Sequence, residues 1–266
     1  MSTPQEIKSC CAALYSSDAV AALLGESYHP GGAQLTRRLA DLMHLQPGQR
    51  VLDVASGPGA TARLLAIDYD VSVEGVDLAA PVVHQARQNT AVAGLAQRVH
   101  FHLGEAEHLP LPDDSVDAVI SECAFCTFTD KPTAAGEFAR VLRPGGRLGL
   151  ADVITAPGGL PDDLVTLAGW VACVADARPH PYYTELFGDA GLHTVHVETC
   201  DDALVQMIDQ IEARIHLLHI TRALDAVGVD ADQVLHYTTV ARHAIAEGLL
   251  GYALILAEKG AGTGIR

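Results

Sequence analysis

The sequence predicts an α/β protein in which helices cover both faces of a doubly wound, mostly parallel sheet. Three observations support this fold class. Between residues 49 and 152, short β-rich runs alternate with helical stretches. The predicted strands are continuously apolar, as is typical of strands buried on both faces. A glycine-rich turn, "SGPGA", lies between the first of these strands and the helix that follows it.

The elements follow one another in the order that such a sheet requires. Residues 4–46 are predicted to be helical with a break at "HPGG". The predicted strands are 50–55, 71–77, 98–105, 116–122, 147–153, 192–199 and 251–259. The predicted helical segments between and after them are 59–68, 81–93, 130–142, 160–176, 181–190 and the long amphipathic stretch 201–248. "RPGG", before the fifth strand, is predicted to be a turn.

Together these elements predict a Rossmann-like doubly wound, mostly parallel seven-stranded sheet with N-terminal helices and a C-terminal helical insertion. We expect residues 1–47 to form a helical lid and residues 48–200 to form the ligand-binding core. Residues 201–248 are expected to be a helical insertion, and residues 249–266 to be the last strand and a tail.

Composition narrows the classes of partner. The chain has 266 residues and a formal net charge of −16, from 33 acidic and 17 basic side chains. Such a surface repels nucleic acid and anionic membranes, so small molecules are the expected partners. No apolar run approaches the roughly 18 residues of a membrane span. The first residues lack the pattern of a secretory signal, and six cysteines then indicate reduced thiols in the cytoplasm.

The glycine-rich turn predicts a ligand site. Gly57 and Gly59 allow the backbone to approach a ligand closely. Asp53, just before the turn, would repel a pyrophosphate but suits an ammonium group. Asp77 ends the second strand, 20 residues after Gly57, where a carboxylate can accept ribose hydroxyls. A dinucleotide site, or turns without a ligand, remain the alternatives at this point.

The order of these motifs resembles that of class I S-adenosylmethionine-dependent methyltransferases over about residues 48–153. The resemblance implies S-adenosylmethionine as the cofactor. It also implies that the methionine portion of the cofactor is contacted by Asp53, Ser56, Gly57 and Gly59. The ribose would be contacted by Asp77 and Leu78, and the adenine by Glu105 and Ala106. We add Glu122, which ends the fourth strand, and Tyr28 and Gly32 of the expected lid, for which a helix-breaking turn is the alternative.

The segment "VISECAFCTFTDK" places a thiol where an acceptor is expected. Acceptor sites in open α/β folds lie beyond the carboxyl ends of the strands. Cys123 follows the fourth strand directly, and Cys126 comes three positions later. The sequence therefore predicts that Cys123 lies near the transferred methyl group.

A second resemblance, to arsenite methyltransferases, involves the cysteines. "ISECAFCTFTDKPTAAGEFARVLRPGG" is similar to that family's segment in which a cysteine follows the fourth strand, and "LAGWVACVADA" to its later cysteine segment. The N-terminal "CC" is similar to paired cysteines ahead of the catalytic domain. The resemblance implies that Cys123, Cys173 and either Cys10 or Cys11 hold trivalent arsenic, a metalloid substrate, and that the function is detoxification. Cys126 has no counterpart in the family and is a further candidate ligand.

Other interpretations stay open on the sequence alone. All of these cysteines can pack in the core, since unpaired cysteine is among the most buried residue types. The chain could then be a small-molecule O-, N- or C-methyltransferase of natural-product or quinone type. A metalloid-binding or sensor protein without turnover is the alternative from another class. The long helical stretch can cover the acceptor site or form a dimer surface, so a monomer and a homodimer are both expected states.

Overall fold

The computed structural model describes residues 8, 17, 20, 24–25, 28–160, 176–220 and 230–261. Most of the predicted helical residues 4–27 and 160–176 lie outside this part of the chain. The helices are α1 (Gly32–Leu42), α2 (Ala60–Asp68), α3 (Ala80–Val92), α4 (Lys131–Val141), α5 (His180–Asp189), α6 (Asp201–Ile220) and α7 (Ala231–Ala246). The strands are β1 (Arg50–Val54), β2 (Ser72–Asp77), β3 (Val99–Leu103), β4 (Val116–Glu122), β5 (Leu142–Thr155), β6 (Leu192–Thr199) and β7 (Leu250–Lys259).

The seven strands form one sheet in the order β3-β2-β1-β4-β5-β7-β6. Strands β1 to β5 pair in parallel, whereas β7 is antiparallel to both of its neighbours, β5 and β6. The predicted fold class is confirmed. The strand order reverses between β1 and β4, so their carboxyl ends diverge into helices on opposite sides of the sheet. Such a switch point leaves a crevice where ligands of open α/β sheets bind.

The core has two halves, one on each face of the sheet. Successive strand residues point to opposite faces, so Val51 joins the cluster of one face and Leu52 that of the other. The first cluster packs α1, α2 and α3 against the sheet, through residues such as Leu39 and Leu65. The second packs α4 and α5, and its largest side chains are the aromatic residues Phe125, Phe138, Tyr183 and Phe187. Burial on both faces explains why the strands are continuously apolar.

One predicted turn differs from the structure. "RPGG" lies inside the long strand β5, which begins at Leu142. Leu142 pairs with Val116, and the register shifts before Ala118 pairs with Arg147. The shift accommodates the extra residues as an irregularity in the ladder, with Gly145 at a φ of 79°. The glycine and proline signal thus marked a local distortion of a strand, not its start.

Candidate active site

The glycine-rich loop joins β1 to α2 through a series of left-handed backbone conformations. Ala55, Gly57 and Gly59 have φ values of 59°, 53° and 80°. A Cβ atom on Gly59 would lie 2.5 Å from Cζ of Phe101, so a larger residue would collide with β3. The loop therefore needs glycine at position 59 both for its backbone conformation and for its packing. Gly59 caps α2 and leaves backbone N–H groups at the start of that helix facing the crevice end of the sheet.

Asp77 ties the end of β2 to this loop. One carboxylate oxygen accepts a hydrogen bond from the backbone N–H of Gly57 and the other from that of Ala79, each at 2.9 Å. Burial raises the pKa of Asp77, although the hydrogen bonds from the backbone act in the opposite direction. Each oxygen of a carboxylate has two acceptor positions, so Asp77 can still accept hydroxyls from a ribose.

Asp53 and Glu122 lie at the carboxyl ends of β1 and β4. Asp53 is 3% exposed, and its Oδ2 atom has no hydrogen-bond partner. Burial raises the pKa of Asp53 well above its ordinary value, and the nearby charges of Glu122 and Asp77 add to the rise. Glu122 accepts hydrogen bonds from Thr61 Oγ1 at 2.6 Å and from Thr36 Oγ1 at 3.0 Å. Nε2 of His29 lies 3.5 Å from the same carboxylate.

The opposite end of the crevice carries a second group of charges. Nζ of Lys8 lies 2.7 Å from Oε2 of Glu105 and 3.0 Å from Oε2 of Glu107. Burial lowers the pKa of Lys8, but the two glutamates outweigh this effect and the net shift is upward. Glu107 also accepts from Thr129 Oγ1 at 3.2 Å. The β3–β4 loop is thereby connected both to the N-terminal segment and to the chain that leaves β4.

Two adjoining cavities form one cleft along this edge of the sheet. The first, of about 150 Å³, is lined by Asp77, Leu78, Glu105 and Ala106 together with Lys8 and Cys123. The second is lined by Asp53, Ser56, Pro58, Ala60, Thr61 and His29. Tyr28, Ala55, Gly57 and Glu122 line both.

The cleft fits the expected cofactor. Asp53 Oδ2 and Ser56 Oγ are buried polar atoms without partners in the second cavity, and they suit the polar methionine end. The acidic residue at the end of β2 lines the first cavity, where the ribose and adenine are expected. Gly32 and Gly59 lie outside both linings, as the first residue of α1 and the cap of α2. The individual contacts of all these residues with the cofactor stay predictions.

The described cysteines have different environments. Cys123 is partly exposed, has a left-handed φ of 53° and lines the first cavity. Its backbone N–H donates to the carbonyl of Ala151 at 2.7 Å, and the Tyr252 hydroxyl donates to that same carbonyl at 3.1 Å. Cys126 is fully buried in the core. Cys10, Cys11 and Cys173 lie outside the described residues, and within the described part no three His, Cys, Asp or Glu side chains are placed to share a metal ion.

A buried lysine holds the chain that leaves β4. Lys131 is 2% exposed, and its ammonium donates to the carbonyls of Cys126 at 2.8 Å and Phe128 at 3.0 Å. It also bonds Oδ2 of Asp176 at 2.6 Å. Asp176 pairs with Arg178 as well. The loop beside Cys123 is therefore fixed to the first described residue after position 160.

Sequence reasoning missed several residues of the cleft. Thr61 is the second residue of α2, just after the glycine loop, and its place in the first turn was an available signal. Thr36 lies on α1, and no motif points to it; only the tertiary contact with Glu122 reveals it. Lys8 also carried no recognisable pattern, because it interacts with residues distant in the sequence. Lys131 lies in the Asp-Lys helix start, but its contact with Asp176 joins residues 45 positions apart.

Comparison with known proteins agrees with this geometry. Residues 52–150 match the family described as "Methyltransferase domain". The chain is 37% identical over 163 residues to an arsenite methyltransferase of Halobacterium salinarum, covering 60% of this chain and 41% of that relative. It is 27% identical over 232 residues to an O-methyltransferase of Pyrenophora dematioidea, covering 85% and 80%. A phosphoethanolamine N-methyltransferase structure from Haemonchus contortus superposes with a TM-score of 0.84 at 19% identity, covering 98% of this chain and 61% of that one.

These matches, the strand order and the cleft place the domain among the S-adenosylmethionine-dependent methyltransferases of class I. For the matched domain, the family, enzyme class and cofactor expected from the sequence are confirmed. The chain spans about two fifths of the length of the arsenite methyltransferase that it matches. In the described part of the chain, no helix is both long enough and apolar enough to span a membrane.

Proposed function

We propose that this methyltransferase acts on trivalent arsenic held by cysteine thiolates, of which Cys123 is one. The observation that supports this proposal most directly is the position of Cys123. It lies at the exit of β4, is partly exposed and lines the cofactor cleft next to Glu122. The backbone there is fixed by the short hydrogen bond to Ala151. A thiol at this place is positioned to hold an acceptor at the methyl-bearing centre.

Cys173 and either Cys10 or Cys11 are the other proposed ligands, and they lie outside the described residues. The similarity of their sequence segments to those of arsenite methyltransferases supports their part in the site. The described residues nearest to them in sequence, Lys8 and Asp176, bond Glu105 and the buried Lys131 respectively.

The chemistry suits such a site. S-adenosylmethionine supplies an electrophilic methyl group on a sulfonium sulfur. Thiolates prefer soft ions, and three of them bind pyramidal As(III) while leaving its lone pair available as the nucleophile. Oxygen and nitrogen nucleophiles often need a general base, whereas this lone pair carries no proton. The protein would then supply alignment, which is the main requirement for an activated donor.

A second candidate is a small organic acceptor that is methylated on oxygen, nitrogen or carbon. Three observations favour it. Cys126 is fully buried, so its side chain packs in the core. The apolar side chain of Phe128 lines the same cavity as Cys123. The O-methyltransferase relative is also matched over a larger share of its length than the arsenite methyltransferase is.

Turnover of labelled S-adenosylmethionine with arsenite and glutathione separates the two candidates. We expect methylated arsenic from the wild-type protein and its loss in Cys123→Ser. Cys200→Ser is the matched control, because burial and the carboxylates of Glu198 and Asp201 raise the pKa of the Cys200 thiol, and it lines neither cavity. It should retain turnover. No methylated arsenic from the wild-type protein would overturn the arsenic proposal.

The domain organisation, location and oligomeric state of the protein are also proposals. We propose that residues 1–47 form a lid, supported by the contact of Lys8 with the adenine end of the cleft. The core then comprises residues 48–200, the insertion 201–248, and the last strand and tail 249–266. A cytoplasmic location, a role in detoxification and a monomeric or homodimeric state belong to this proposal, and size-exclusion chromatography with light scattering tests the last.

A further inference from the structure

Glu122 lies at the junction of the two halves of the cleft. Among the described residues, four line both cavities, and Glu122 is the one of these four with an acidic side chain. One half contains the ribose-side carboxylate Asp77, and the other contains Asp53 and Ser56. In S-adenosylmethionine, the sulfonium sulfur is the atom that joins the adenosine portion to the methionine portion. The junction of the two halves is therefore where this sulfur is expected.

The Glu122 carboxylate is held in place by hydroxyl donors from two helices and lies close to the His29 ring. Thr61 of α2, Thr36 of α1 and His29 before α1 all approach it, at 2.6, 3.0 and 3.5 Å. The two threonine hydroxyls donate hydrogen bonds to the carboxylate but carry no positive charge of their own. The side chain is only 4% exposed, so water contributes little screening. A positive ligand group in this position would gain much of the stabilisation that water otherwise provides.

Asp53 gives an independent indication of a positive ligand. Its Oδ2 atom is buried without a hydrogen-bond partner in the cavity that Glu122 also lines. Burial and the charge of Glu122 raise the pKa of Asp53 well above its ordinary value. A buried acceptor without a partner is costly, and the cost is removed when a donor or cation occupies the cavity. Two neighbouring carboxyl groups thus face a space that suits positive charge.

We propose that Glu122 recognises the positive charge of the cofactor's sulfonium and thereby makes the cleft prefer S-adenosylmethionine to S-adenosylhomocysteine. The two ligands differ in the methyl group and in this charge, because the product carries a neutral thioether. Both retain the ammonium group that Asp53 and Ser56 suit. The inference rests on the cofactor assignment and is independent of the identity of the acceptor.

Calorimetric binding to the full-length protein tests this proposal without turnover. The probes are S-adenosylmethionine, S-adenosylhomocysteine and sinefungin, which carries an amino group instead of the methylsulfonium. Glu122→Gln keeps the size of the side chain and an acceptor for Thr36 and Thr61 but removes the charge. We expect the Kd for the two charged ligands to rise about tenfold or more, and the Kd for S-adenosylhomocysteine to rise less than about threefold.

Two control variants make the result specific. Glu122→Asp keeps the charge and should keep the preference for the charged ligands. Glu107→Gln removes a charge at the adenine end and should change the Kd of all three ligands by a similar factor. Equal changes for all three ligands in Glu122→Gln, or loss of preference in Glu122→Asp or Glu107→Gln, would overturn the proposal. A preserved preference with no arsenic turnover would refute only the proposed acceptor.

Discussion

Replacing Lys131 with methionine should destabilise the protein strongly. The substitution keeps the volume of the stem but removes an ammonium that bonds the carbonyls of Cys126 and Phe128 and the carboxylate of Asp176. The Asp176 side chain is 48% exposed, so its carboxylate can be solvated after the substitution, and Arg178 remains as a partner. The loss of the Lys131–Asp176 ion pair should therefore cost less than about 1 kcal/mol. The two carbonyls lose charge-assisted hydrogen bonds in a poorly hydrated site. We therefore expect the free energy of unfolding to fall by about 2–4 kcal/mol.

Urea unfolding followed by circular dichroism measures this loss. The matched control is Lys259→Met, because Lys259 also bonds a carboxylate and a carbonyl, those of Asp114 and Leu142, but is 24% exposed. Its loss should cost about 1 kcal/mol or less. If Lys131→Met costs no more than Lys259→Met, burial of the ammonium does not stabilise the loop, and the reasoning is refuted.

Three further predictions concern the cleft. The pKa of Asp53 is raised in the folded state, so the folded protein binds this proton more tightly than the unfolded chain does. The ligand-free protein should therefore lose stability as pH rises from the ordinary carboxyl range towards the raised pKa. Asp53→Asn should lack this pH-dependent loss in urea unfolding, and it should weaken cofactor binding in calorimetry. Gly75→Ala would place a Cβ atom 2.4 Å from Cδ1 of Phe101, and chemical unfolding should show a loss of about 1–3 kcal/mol. Lys8→Met should speed cofactor release in stopped-flow fluorescence but change stability by less than about 1 kcal/mol, because this ion pair is partly exposed.

The sequence predicts most of the sheet because its physical signals are local. Short continuous apolar runs and the glycine turn identify β1, β2 and β4 within one or two residues. The long β5 was predicted too short, since "RPGG" is typical of a turn and its pairing with β4 depends on a distant partner. Local pattern cannot specify an irregular ladder, because its register is fixed by the neighbouring strand.

In the site, residues at strand ends were predictable from the sequence, whereas long-range contacts were not. Asp53 and Asp77 lie at the carboxyl ends of β1 and β2, and Cys123 follows β4. Parallel strands bring such positions to one edge of the sheet. Thr36 reaches Glu122 across 86 positions of sequence, and Lys8 reaches Glu105 across 97. No short motif carries such contacts, since they depend on how α1 and the N-terminal segment pack on the finished sheet.

The insertion of β7 between β5 and β6 has a consequence for synthesis on the ribosome. The strands that frame the cofactor cleft all precede residue 156. Tyr252, whose hydroxyl donates to the same Ala151 carbonyl as the backbone N–H of Cys123, lies on β7, 101 positions after Ala151. Until β7 emerges, the hydrogen-bonding edge of β5 has no partner, and an open edge invites pairing with other chains. The growing chain is thus most exposed to aggregation until β7 (Leu250–Lys259) has been added, and chaperone dependence should be concentrated in that interval.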